Sequence, residues 1–132
     1  MRIRTGRANT MGDDGKRAVL IVDDDEGIRE TLCLALELEG FDAVAAEHGK
    51  IALEYLKSHS KPNLVILDLM MPVMNGWDFL HAVRDIPEFS SLPIVVVTAF
   101  AARAKGLAVQ GQLEKPVELE ALLSTVKQFC CS

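Results

Sequence analysis

Three short apolar runs, each closed by a polar residue, constrain this chain more than any other feature. Leu64-Val65-Ile66-Leu67 ends in Asp68, Ala18-Val19-Leu20-Ile21-Val22 ends in Asp23-Asp24-Asp25, and Ile94-Val95-Val96-Val97 ends in Thr98. Runs of this length, biased to branched residues and without a polar residue at every second position, predict strands buried on both faces. Such strands need cover above and below, and the segments between them have helical spacing. Residues 27–39 carry Ile28, Leu32, Ala35 and Leu36 on one stripe, with Leu34 and Leu38 widening it and Gly40 as a stop. Residues 49–58 turn Ile51, Ala52, Tyr55 and Leu56 inward, and the helix after Gly76 does so with Phe79, Leu80 and Val83. The last helix, residues 117–129, places Leu119, Leu122, Leu123 and Val126 inward. Residues 41–46 read as a short strand, and 109–113 as a weak fifth strand interrupted by Gly111. Pro62-Asn63, Pro87 and Pro93 mark the loops.

Strands alternating with helices predict βαβ units, a parallel sheet and right-handed crossovers with helices on both faces. The expected fold is α/β: a flavodoxin-like, doubly wound, five-stranded parallel sheet in the order 2-1-3-4-5, whose crevice lies beside strands one and three. At 132 residues the chain suggests one domain with one core. Residues 1–16 have no periodicity and read as a mobile N-terminal tail, and residues 17–132 as the domain.

A formal charge of −5 argues against a nucleic-acid groove. No apolar run approaches the roughly 18–20 residues that span a bilayer. The basic start, with Arg2, Arg4 and Arg7, has no apolar stretch behind it and so is not read as a secretory signal. The expected location is cytoplasmic, with no membrane contact. Cys33 falls in a helical apolar pattern, and Cys130-Cys131 stand at the end of the chain, after the last helix. Without a CxxC pair, or a His at ligand spacing from a Cys, zinc is not expected and the thiols should be reduced.

The polar residues that close the strands carry the chemistry. Acids crowded at a crevice repel one another unless a cation neutralises them. An oxygen-rich, sulfur-free set favours magnesium, with manganese as an alternative. A carboxylate such as Asp68 attacking phosphorus would form an acyl phosphate, while a hydroxyl and an amine hold the other phosphoryl oxygens. Taken singly, Asp23, Asp24 and Asp25 read as helix-capping acids, Asp25 most of all. Likewise Thr98 alone is a strand-end hydroxyl, Lys115 a surface charge, and Pro72 and Gly76 loop punctuation. Trp77 and Phe79 read as packing residues, and His48, His59 and His81 as scattered helix residues without a function. It is the joint pattern that points to a phosphoacceptor site.

That pattern strongly resembles the receiver domain of bacterial two-component response regulators. The resemblance rests on Val22-Asp23-Asp24, the run Asp68-Leu69-Met70-Met71-Pro72-Val73-Met74-Asn75-Gly76, Val97-Thr98-Ala99 and Lys115-Pro116, and it covers residues 18 to 130. It implies that Asp68 is the phosphoacceptor, with Thr98 and Lys115 binding the phosphoryl group. It also implies that Asp24, Asp68 and the Met70 backbone carbonyl ligate the metal, and that Asp23 acts largely through metal-bound water. A sensor histidine kinase or phosphotransfer protein is the implied partner, with a downstream protein target that the sequence does not name. A homodimer stays open, and direct DNA binding is not expected. The chain would be a signalling phosphoacceptor, not a turnover enzyme. The bond before Pro116 is a candidate cis peptide.

Two departures stand out. Only 17 positions separate Thr98 from Lys115, too few for a full fourth helix, so that helix should be shortened or missing. Gln112 stands where the family often carries an aromatic residue that moves on phosphorylation, and Val117 replaces a frequent aromatic. The readout of phosphorylation should therefore differ. Met70 and Phe100, apolar and flanking the site, should slow water's approach to the phosphorylated carboxylate.

Two other functions compete. An aspartyl-nucleophile phosphatase of the haloacid dehalogenase type would use Asp23-x-Asp25, but the chain is short for one and the Asp68–Gly76 run would go unexplained. A degenerate receiver that binds partners without phosphorylation sits badly with an intact Asp, Thr and Lys set.

Overall fold

The computed structural model describes residues 3–5, 17–59, 61–71 and 73–130. Pro72, Cys131 and residues 1–2 and 6–16 of the proposed tail lie outside the described residues. In chain order the elements are β1 (Ile3–Thr5), β2 (Ala18–Val22), α1 (Glu26–Leu38), β3 (Asp42–Ala46), α2 (Gly49–Ser58), β4 (Leu64–Asp68), α3 (Gly76–Arg84), β5 (Ile94–Thr98), β6 (Gly111–Glu114) and α4 (Leu119–Cys130). Single 3-10 turns occupy Pro87–Phe89 and Ala101–Ala104.

The sheet order is β1-β3-β2-β4-β5-β6, so the five parallel strands β2 to β6 take the expected 2-1-3-4-5 arrangement. β4 and β5 are buried at every position, as their unbroken apolar runs require. Leu64 and Ile66 pack toward α1 and α4, and Val65 and Leu67 toward α2 and α3. One strand was not foreseen: β1 pairs antiparallel with β3, Ile3 opposite Ala46 and Thr5 opposite Val44, within the segment read as tail. Three residues at a sheet edge leave no periodicity to detect.

Several side chains point elsewhere than their spacing suggested. Leu34 and Leu38 are exposed, Leu38 by 77%, because α1 buries only the Arg29, Leu32, Cys33 and Leu36 face. Leu119 opens α4 and is also exposed, and α4 begins two residues later than expected. Gly111 opens β6 and does not interrupt it.

The fourth helix is reduced to the Ala101–Ala104 turn, as the 17-residue spacing implied. Its absence leaves Gln112 and Glu114 exposed on β6 beside Val96 and Thr98 of β5, so that face of the edge strand is polar. Arg84, at the end of α3, secures the segment in its place. The Arg84 guanidinium spends five hydrogen bonds: two on the Ala108 carbonyl (3.1 and 2.8 Å), one each on the Phe89 and Leu92 carbonyls (3.1 and 2.8 Å), and one on Gln110 Oε1 (3.2 Å). That matches the full donor count of an arginine. Gln110 Oε1 also accepts from the Ile94 N–H at 2.8 Å, tying the start of β5 to the same knot.

Candidate functional site

The geometry of the site follows from strand order. β2 and β4 are neighbours with Val22 opposite Leu67, so Asp23 and Asp68 emerge side by side at the carboxyl edge of the sheet. β5 lies on the other side of β4, and β6 beyond it, delivering Lys115 one residue past its last strand position. The Lys115 N–H donates to the Thr98 carbonyl at 3.0 Å, which carries the ladder up to the site, and the Lys115–Pro116 bond is cis. The long lysine stem then reaches back, placing Nζ 3.3 Å from Asp23 Oδ2 and 3.5 Å from Asp68 Oδ2.

Oxygens from Asp23, Asp24 and Asp68 all lie within 4.8 Å of one another. Asp23 and Asp68 are buried while Asp24 is exposed. Beside them opens a cleft of about 560 Å³ lined by Asp24, Asp68, Met70, Phe100 and Lys115 together with the first turn of α1. The loop after β4 is shaped by Gly76, where a Cβ would stand 2.6 Å from Leu69 Cα and 2.7 Å from the Asp68 carbonyl oxygen. Only glycine allows α3 to start so close behind Asp68. Asn75 caps that helix, its Oδ1 accepting from the Asp78 N–H at 2.8 Å.

Three carboxylates against one ammonium leave the cluster net negative. Burial raises the Asp68 pKa, with repulsion from Asp23 next; Lys115 and the Met70 N–H (3.2 Å) pull the other way, and the result is about 6. Burial likewise raises Asp23, against the Asp25 N–H (2.9 Å) and Lys115. Burial opposes the Lys115 charge, but Asp23 and Asp68 outweigh it and its pKa rises. The acids are thus held together under a repulsion that a bound cation would relieve.

The structure brings Asp23, Asp24, Asp68, Met70 and Lys115 together. Thr98 sits buried at the end of β5, its Oγ1 accepting from the Phe100 N–H at 3.0 Å, and it does not line the cleft. Asp25 caps α1, accepting from the Ile28 N–H at 3.0 Å, so its carboxylate is engaged where the phosphatase reading would need it for chemistry. His48 caps α2 through Nδ1, and His59 stacks on Tyr55. The sequence reading missed Arg29, which is buried and donates from Nη1 to the Asp23 carbonyl at 2.9 Å. A charged residue in register with Leu32, Cys33 and Leu36 on an otherwise apolar face was the available signal.

A doubly wound sheet with acids and a lysine converging at its carboxyl edge has the build of a signalling receiver domain. Residues 19–127 match the response regulator receiver domain family, and the chain belongs to that family. Among its relatives, response regulator MprA of Mycolicibacterium vanbaalenii is 35% identical over 83% of this chain and 48% of that protein. A 14.6 kDa protein of Leptolyngbya boryana is 34% identical over 85% of this chain and 88% of that protein. The chain spans about half the length of the MprA relatives it matches. Among solved structures, Vibrio cholerae chemotaxis protein CheY4 superimposes with a TM-score of 0.77 at 31% identity, over 85% of this chain and 97% of that one. Response regulator TrrA of Thermotoga maritima, solved in complex with Mg2+ and BeF, gives a TM-score of 0.77 at 30% identity over 86% and 98%. Among the described residues no helix is long and apolar enough to cross a membrane.

Proposed function

We propose that the chain is a phosphorylation switch in two-component signalling. Asp68 accepts a phosphoryl group from a phosphorylated histidine on a sensor kinase or phosphotransfer protein, and the modified form changes its binding to a downstream protein. The observation that carries this reading is the meeting of Asp68 with Lys115 at 3.5 Å, inside a cluster it shares with Asp23 and Asp24. An Asp68 carboxylate oxygen attacks phosphorus; the bond from phosphorus to the donor nitrogen breaks, its electron pair leaves with the imidazole, and the product is an acyl phosphate. The Lys115 ammonium pairs with a phosphoryl oxygen. The Thr98 hydroxyl, once turned from the Phe100 N–H, donates to another.

The cluster fits a hard divalent cation: its donors are all oxygen, and one face opens to the cleft. Magnesium suits it best, with manganese as a substitute. Asp24, Asp68 and the Met70 carbonyl would hold the ion directly, and Asp23 through water. When bound, the ion neutralises the acids and the incoming phosphoryl oxygens. Transfer and later hydrolysis take place within this one site, so the chain acts as a phosphoacceptor and not as a turnover enzyme. The complex of TrrA with Mg2+ and BeF supports the assignment by analogy. Beryllofluoride binding, followed by amide NMR, tests it. Binding should require magnesium and should disappear in Asp68→Asn; binding that survives that substitution would refute the assignment.

A further inference from the structure

We propose that Arg29 is a positioning residue for the cation: it holds the turn that carries Asp23 and Asp24 in the binding conformation. The proposal rests on the cation reading given above. Arg29 lies in the first turns of α1 and is only 8% exposed. Nη1 reaches out of the helix to donate to the Asp23 carbonyl at 2.9 Å. That contact completes the restraint of Asp23. Its N–H donates to the Ala46 carbonyl at 3.2 Å, one carboxylate oxygen accepts from the Asp25 N–H at 2.9 Å, and the other meets Lys115 at 3.3 Å. With its carbonyl held by Arg29, every polar group of Asp23 is engaged.

Asp24 depends on this arrangement. Its side chain is exposed, and among the described residues no hydrogen bond or ion pair fixes its carboxylate. Its place in the cluster therefore follows from the backbone between Asp23 and the Asp25 cap, which Arg29 pins from behind. Packing alone does not account for an arginine here. Burying a guanidinium is costly, and a methionine would fill the Leu32, Cys33 and Leu36 face without that cost. Groups that orient metal ligands without touching the metal commonly change affinity strongly when removed.

The test is a magnesium titration of the full chain, read from backbone amides near Asp24 and Met70, with the thermal midpoint measured on the same samples. Arg29→Met should weaken magnesium binding by about ten-fold or more. Beryllofluoride binding at saturating magnesium should stay as in the parent chain. Arg29→Lys, which keeps the charge and can donate to the same carbonyl, should recover most of the affinity. Leu36→Ala serves as a control: it destabilises the same helix away from the site and should leave the magnesium constant unchanged. If Arg29→Met fails to fold, Arg29→Leu, which also lacks a donor, takes its place with the same expectation. An unchanged magnesium constant in the folded variant overturns the proposal, as does an equal loss in Leu36→Ala. A parent chain that binds no magnesium overturns the cation reading and this proposal with it.

Discussion

Replacing Asp68 by asparagine should make the metal-free protein more stable, although it removes the residue on which the proposed function depends. The reason is the cost of the buried charge. Asp68 has its pKa raised from 3.8 to about 6, by burial first and Asp23 second. The folded protein therefore holds the Asp68 proton more tightly than the unfolded chain does. The penalty is absent below the unfolded pKa, grows as pH rises, and is complete above the folded value. A shift of this size corresponds to about 3 kcal/mol at pH 8. Relaxation and entering water reduce it, so roughly 2 kcal/mol is the expected gain. Asparagine keeps an oxygen to accept from the Met70 N–H, and Lys115 keeps Asp23 at 3.3 Å. Urea denaturation in the presence of a chelator measures the effect. At pH 8 Asp68→Asn should exceed the parent chain, and near pH 5 about half of the gap should remain. A variant no more stable than its parent at pH 8, or a gap that widens toward pH 5, would refute the reasoning.

Other substitutions test separate parts of the account. Val73 is a β-branched residue at φ 67° and is 75% exposed; Val73→Gly should raise the urea midpoint, with a gain in unfolding free energy of up to about 1 kcal/mol once glycine's entropy is subtracted. A lower midpoint would mean that the valine contacts outweigh the strain. Arg84→Met should cost about 1–2 kcal/mol and speed hydrogen exchange at residues 105–110, because the part-buried Leu92 carbonyl loses its donor and the Ala108 carbonyl its tether to α3; unchanged exchange there would remove Arg84 as the substitute for the fourth helix. Met70→Asn supplies a polar group able to orient water and should shorten the lifetime of phosphorylated Asp68 by about ten-fold or more. An unchanged decay rate would exclude Met70 as a barrier to hydrolysis.

The sheet was legible because β2, β4 and β5 advertise themselves: unbroken branched runs have few other places to go. The meeting of the candidate site's residues was legible because Asp23 and Lys115 follow directly on strands and Asp68 closes one, where chain order alone sets who meets whom. Arg29 and Arg84 were not, since each donates mainly to backbone carbonyls, and a carbonyl leaves no trace in the sequence. Leu34 and Leu38 misled for a related reason. Periodicity marks an apolar stripe but not how wide the facing sheet is, and on α1 the cover ends at Leu36. The β1 edge strand is too short to signal itself and depends on the pairing that β3 offers.

The most direct test of the central claim is mass spectrometry of the intact chain after incubation with acetyl phosphate, with magnesium or with a chelator. The parent chain should gain one phosphoryl group, only when magnesium is present, and peptide mapping should locate it on Asp68. Asp68→Asn should gain none. A label that forms without the metal, or that persists in Asp68→Asn, would contradict the account.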